Sequence, residues 1–141
     1  MSWCKGVIHT PDGDEHAIDV ILSLGSACSY LSKATAEKFG LTIIEKKKPR
    51  NIVLVTGNDQ STVTHEAWIT LTLKTLTQTV TVDLMPFETN WLCLGAPWFR
   101  ENKAMFDRDG VSVKDENGEL HNVSEKDSYP LLIAPAIFYT N

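Results

Sequence analysis

Strict alternation of apolar and polar residues dominates the middle of this chain. Ile69-Thr70-Leu71-Thr72-Leu73-Lys74 alternates without a break, and so does Thr79-Val80-Thr81-Val82-Asp83-Leu84. A side-chain period of two places every aliphatic on one face of a strand and every threonine on the other. Threonine and valine also suit a pleated, half-buried surface. The intervening Thr75-Leu76-Thr77 is short enough for a hairpin. A ribbon of this kind must cover its apolar face with further elements.

The rest of the chain supplies them as short strands between turns. Val7-Ile8-His9 and Ala17 to Leu22 flank Pro11-Asp12-Gly13-Asp14. Ile52 to Val55 and Thr62 to Trp68 flank Thr56-Gly57-Asn58-Asp59. Asp107-Arg108-Asp109-Gly110 precedes Val111-Ser112-Val113, and Asn117-Gly118 follows as another hairpin turn. Helical signals are confined to two segments. Ser32 to Gly40 has an N-cap serine and a C-terminal glycine, and Pro97 to Asn102 starts on a proline. The pattern predicts an all-β domain, a closed barrel or a sandwich, with one or two short helices. Tyr129 to Asn141 is apolar, but Pro130 and Pro135 assign it to an edge or an interface.

The bulk properties fit one globular domain over residues 1–141. The 141 residues are 43% hydrophobic and 22% charged, with a net charge of -5. That balance argues against nucleic-acid binding, which needs a positive field. The basic run Lys46-Lys47-Lys48 with Arg50 reads as a solvated connection between two elements. Three cysteines, Cys4, Cys28 and Cys93, form no paired spacing, so free thiols and an intracellular setting, cytoplasm or nucleus, are expected. Met1-Ser2-Trp3-Cys4-Lys5 has no apolar core of a secretory signal, and no run approaches the ~20 residues of a membrane span. The sequon Asn122-Val123-Ser124 is then a chance match. His9, His16, His65 and His121 have no ligand spacing, so neither a metal nor a cofactor is expected.

One segment stands apart from this background. Asp19-Val-Ile-Leu-Ser23-Leu24-Gly25-Ser26-Ala27-Cys28-Ser29-Tyr30-Leu31-Ser32 runs from an apolar strand into a turn of small residues and back. Downstream, Trp91-Leu92-Cys93-Leu94-Gly95-Ala96-Pro97-Trp98-Phe99 pairs an aliphatic strand with a glycine and a helix start. These two blocks resemble the active-site loop and the closing segment of retroviral-type aspartic proteases, the gypsy-type retrotransposon enzymes in particular. The loop of that family reads apolar-apolar-Asp-Ser/Thr-Gly-Ala-Ser/Thr. Val55-Thr56-Gly57-Asn58 falls where the family has its flap. The resemblance covers about residues 5–114, leaving 115–141 as a C-terminal extension. It implies a retropepsin-like acid-protease β-barrel and a homodimer with a peptide groove.

The resemblance also implies what is missing. Aspartic proteases need two carboxylates that share one proton, one acting as base on water. A retropepsin supplies one per chain, so dimerisation assembles the pair. At that position this chain has Ser23, which cannot ionise near neutral pH, and Leu24 replaces the hydroxyl residue that grips the partner loop. Asp19 lies about 13 Å away along an extended strand and cannot substitute. The expectation is no catalytic residue and no enzyme activity: a degenerate loop Ser23-Leu24-Gly25 in a retrotransposon-derived pseudoprotease that serves as a homodimerisation and protein-interaction module. Leu24, Gly25, Ala27, Val55, Thr56, Gly57 and Asn58 are candidates for the dimer centre or a groove that takes an extended peptide. Trp3, Trp91, Leu131, Ile133, Ile137, Phe138 and Tyr139 are candidate interface groups. The alternative is an active aspartic endopeptidase that processes a polyprotein, its aspartate replaced by Ser23 in the sequence in hand. A serine or cysteine hydrolase built on Ser23, Ser26 or Cys28 with His65 and Asp83 lacks a nucleophile-elbow motif.

Overall fold

A computed structural model describes residues 2–54, 60–125 and 137–140; for Leu54 and 138–140 it describes the backbone. In chain order its elements are β1 (Ser2–His9), β2 (Glu15–Leu22), β3 (Tyr30–Ser32), α1 (Lys33–Lys38), β4 (Ile43–Leu54), β5 (Gln60–Leu73), β6 (Leu76–Met85), β7 (Trp91–Leu94), α2 (Ala96–Asn102), β8 (Met105–Asp107), β9 (Gly110–Lys114), β10 (Leu120–Asn122) and β11 (Ile137–Thr140).

Six of these strands close into a barrel in the order β1-β2-β7-β3-β6-β5, with β5 pairing back onto β1. Closure removes the free edges that an open sheet would leave. The alternating segments do what their period dictates. Ile69, Leu71, Leu73, Val80 and Val82 are buried, while Thr70, Thr79 and Thr81 face out. Leu73 pairs with Leu76 across a two-residue turn in which Lys74 takes φ 52°. The seam between β1 and β5 depends on Gly6. A Cβ there would lie 2.7 Å from Val20 Cγ2, closer than side chains tolerate.

β4 continues the sheet past β5, and β11 adds to the outer side of β4. The basic run is not a connection, as its charge implied, but part of β4. Pro49 has no N–H for the ladder, and the β4–β5 register shifts between Glu45 and Arg50. At this irregularity Lys46 turns inward, placing its Nζ 2.7 Å from Asp83 Oδ1 and 3.8 Å from Glu66 Oε1. Asp83 is therefore buried although it lies on the polar face of β6.

The two helices among the described residues start as expected. The Ser32 hydroxyl accepts the Thr35 N–H, and Gly95 caps α2 with proline at its start. A separate three-stranded sheet, β10-β9-β8, adds Val111 and Val113 to the larger core described below. In the sequon, Ser124 is buried and its hydroxyl accepts the Val111 N–H.

Among the described residues, buried side chains gather into two apolar cores. The larger fills the barrel and includes Val20, Leu22, Leu71, Val82, Leu92, Leu94 and Trp98. The smaller comprises Cys28, Tyr30, Ile52, Val63, Met85, Cys93 and Ile137, with Phe87 and Trp91 at its margin. No helix among the described residues is long and apolar enough to cross a membrane.

Candidate functional site

The Ser23 loop joins β2 to β3, and the strand it leaves is one of the most deeply paired in the chain. β2 runs antiparallel to β1 and parallel to β7, with Leu22 opposite Leu94. The Ser23 N–H extends that ladder to the Leu94 carbonyl at 3.0 Å. The chain then turns, with the Ser26 N–H donating to the Ser23 carbonyl at 3.2 Å.

Beyond the turn the loop is bolted to the start of α2. The Ala96 N–H donates to the Ser26 carbonyl at 2.8 Å, and the Gly95 N–H to the Ser29 hydroxyl at 3.0 Å. The Ser26 hydroxyl donates to the Cys28 carbonyl at 2.8 Å, and the Asp83 N–H to the Ser29 carbonyl at 2.9 Å. These backbones touch because residue 95 has no side chain. A Cβ there would sit 2.3 Å from the Cys28 carbonyl oxygen and 2.7 Å from that of Ser26. The loop and the Leu94-Gly95 block, 70 residues apart in sequence, are thus one structural unit. The roles of Ser26 and Ser29 were not legible in their residue type, because each depends on a carbonyl or an N–H supplied from elsewhere.

The tip of this unit is open. Ser23 is half-buried, Leu24 is 55% exposed and Gly25 is exposed. Gly25 is not forced to be glycine by this chain: it has no positive φ, and a Cβ there would meet nothing within 4 Å. No carboxylate occurs between Asp19 and Glu37. Asp19 is half-buried in β2 opposite Lys5 and Trp91. Asp83, beside the loop through its backbone, turns its carboxylate to Lys46.

Nucleophilic alternatives gain nothing from the geometry. Ser26 and Cys28 are buried, and His65 Nδ1 is 2.8 Å from the Thr64 hydroxyl. All three cysteines are buried, and none forms a disulfide. Burial pushes the Cys93 thiol up to about 12, against hydrogen bonds from Ser26 and Tyr30. Burial, then the charge of Glu125, pushes Cys4 up to about 12. The Tyr30 hydroxyl is also raised, first by burial. Thiols held protonated are poor nucleophiles. Asp115, Glu119 and His121 cluster at the β9–β10 hairpin, where a hydrogen bond from His121 lowers the Asp115 carboxyl. Backbone N–H groups of Asn117 and Glu119 also donate to Asp115, so the cluster serves as a turn cap.

The other expected site residues divide. Ala27 is half-buried, and its N–H donates to the Ile137 carbonyl at 2.8 Å. Val55, Thr56, Gly57, Asn58, Leu131 and Ile133 lie outside the described residues. The arms that carry the expected flap pair up to Val53 and Gln60. Two interface candidates take part in the chain's own packing. Ile137 is fully buried in the smaller core, because β11 pairs with β4. Trp91 is half-buried against the same core, and its indole N–H donates to the Tyr30 hydroxyl at 3.2 Å. Trp3 is half-buried in β1 opposite Ile21. Phe138 and Tyr139 sit in β11 opposite Val53 and Ile52.

Among solved structures, the chain is similar to the retroviral protease-like domain of Ddi1 from Leishmania major. The TM-score is 0.54 at 12% identity, over 85% of this chain and 90% of that one. The likeness shows a retropepsin-like barrel fold. No family model matches the sequence, and no curated protein matches it.

Proposed function

We propose that this chain is a retropepsin-like domain without protease activity that works as a homodimerisation and protein-interaction module, derived from a retrotransposon polyprotein. One observation carries the reading: a loop tip fixed by a dense set of backbone hydrogen bonds presents exposed Leu24 and no carboxylate. A rigid tip that shows an apolar side chain to solvent is suited to contact and not to proton transfer. Apposed loops related by a two-fold axis would bury Leu24 against its copy. Gly25, uncrowded within the chain, would leave room for that approach.

The absent chemistry follows from the residue types. Ser23 has no partner base in the loop, and a symmetric dimer of this chain has no shared proton at its centre. Loss of a general base alone costs on the order of 10²–10⁴ in rate. The test is cleavage of an extended-peptide library by the purified protein. No cleavage is expected from the natural sequence. The double change Ser23→Asp with Leu24→Thr is expected to introduce pepstatin-sensitive cleavage. Turnover by the natural protein that disappears on Ser23→Ala would overturn the reading.

A further inference from the structure

β11 is held on both sides. Along one edge it pairs antiparallel with β4, placing Ile137 opposite Leu54 and Thr140 opposite Asn51. On the other, the Ile137 carbonyl accepts the Ala27 N–H from the Ser23 loop. The Ile137 side chain is meanwhile fully buried among Cys28, Tyr30, Ile52, Val63, Met85 and Cys93. A four-residue strand therefore lies in a slot between the outer edge of the β4–β5 hairpin and the loop. Both walls recognise it through backbone groups, and one apolar pocket recognises its side chain. Main-chain pairing on a sheet edge with a pocket for a single side chain is how strand-addition sites bind extended peptides.

We propose that β11 is a built-in occupant of this slot, an intramolecular strap that keeps a peptide-binding site closed. Its external ligand is an extended segment with an aliphatic residue at the position of Ile137. The walls are contributed by β4, β5, β3, β6, β7 and the loop, so they do not include the strap itself. Removing the strap would leave the β4 edge unpaired and an apolar pocket open, which an incoming strand of the same chemistry would cover. The slot is also distinct from the Leu24 tip, so it does not depend on dimerisation. A tethered occupant competes at an effective concentration near millimolar, which makes the site silent to weak ligands and open to stronger ones.

The experiment uses the full chain and a fluorescent peptide of residues 134–141, read by polarisation. The Ile137→Ala protein, with its circular dichroism intact, is expected to bind the peptide about tenfold or more tighter than the natural protein. A peptide carrying Ile137→Asp is expected not to bind. Equal affinity of the two proteins, or of the two peptides, would overturn the proposal. Should Ile137→Ala not fold, hydrogen exchange on the natural protein decides. Excess peptide must accelerate exchange of the 137–140 amides of the chain while the Ala27 amide stays protected, and unchanged exchange overturns the proposal. A dimer abolished by Ile137→Asp but unaffected at Leu24 would mean that the slot is filled by the tail of a second copy, and would also overturn it.

Discussion

Gly95 and Leu24 show how differently two residues of one site are constrained. Gly95 is fixed by contact with the Cys28 and Ser26 carbonyls. Gly95→Ala should cost about 2–3 kcal/mol, since the clash is with backbone that cannot rotate away. For a chain of this size that is a fall of roughly 10 °C in melting midpoint, measurable by calorimetry. Gly25→Ala meets no atom within the chain and should cost the fold of the single chain nothing. The thiols provide a second check. With Cys4 and Cys93 raised to about 12 by burial, the folded protein favours their neutral form. That contribution is complete below the ordinary value of 9.0 and is lost as pH rises from there toward 12. At neutral pH a thiol reagent should label neither until denaturant is added, and rapid labelling of the native protein would contradict their burial. The loop's small residues were legible in the sequence as a turn, but the contact that demands Gly95 was not, because its partners lie some 70 positions earlier.

Strands written in the alternation of their own residues were the easiest to read. Ile69, Leu71 and Leu73 needed no partner to declare their face, since the period of a strand is intrinsic. β4 and β11 were obscured because their identity depends on a neighbour. Lys46 looks like part of a solvated run until β6 brings Asp83 opposite it. Ile137 reads as an edge or interface residue until β4 and the loop enclose it. The Lys46–Asp83 pair is largely buried, with 16% and 7% of the two side chains exposed. Lys46→Met should therefore remove the ammonium that faces a largely buried carboxylate and cost about 3 kcal/mol, whereas Lys46→Met combined with Asp83→Leu should recover most of that loss. Chemical denaturation of the two variants measures both values. At the β9–β10 hairpin the lowered Asp115 carboxyl contributes above its ordinary range and is lost as pH falls through its depressed value. An NMR titration of His121→Ala should show the Asp115 carboxyl moving back up.

Taken as a whole molecule, the chain has a retropepsin-like barrel fold with an exposed loop tip and a filled slot beside it. The Ser23 loop carries no carboxylate and exposes Leu24, and β11 fills the slot beside it. Closure of the barrel through Gly6 and of the loop through Gly95 gives both features a rigid base. The proposed assembly through the loop tips predicts that self-association depends on Leu24 and not on the tail. Leu24 is more than half exposed, so its replacement should leave folding intact. Sedimentation velocity of the natural protein and of Leu24→Asp, over about 1 to 100 μM, measures this directly. The natural protein should sediment as a dimer and Leu24→Asp as a folded monomer; a natural protein that remains monomeric at tens of micromolar, or a dimer indifferent to Leu24→Asp, would contradict a dimer centred on this loop.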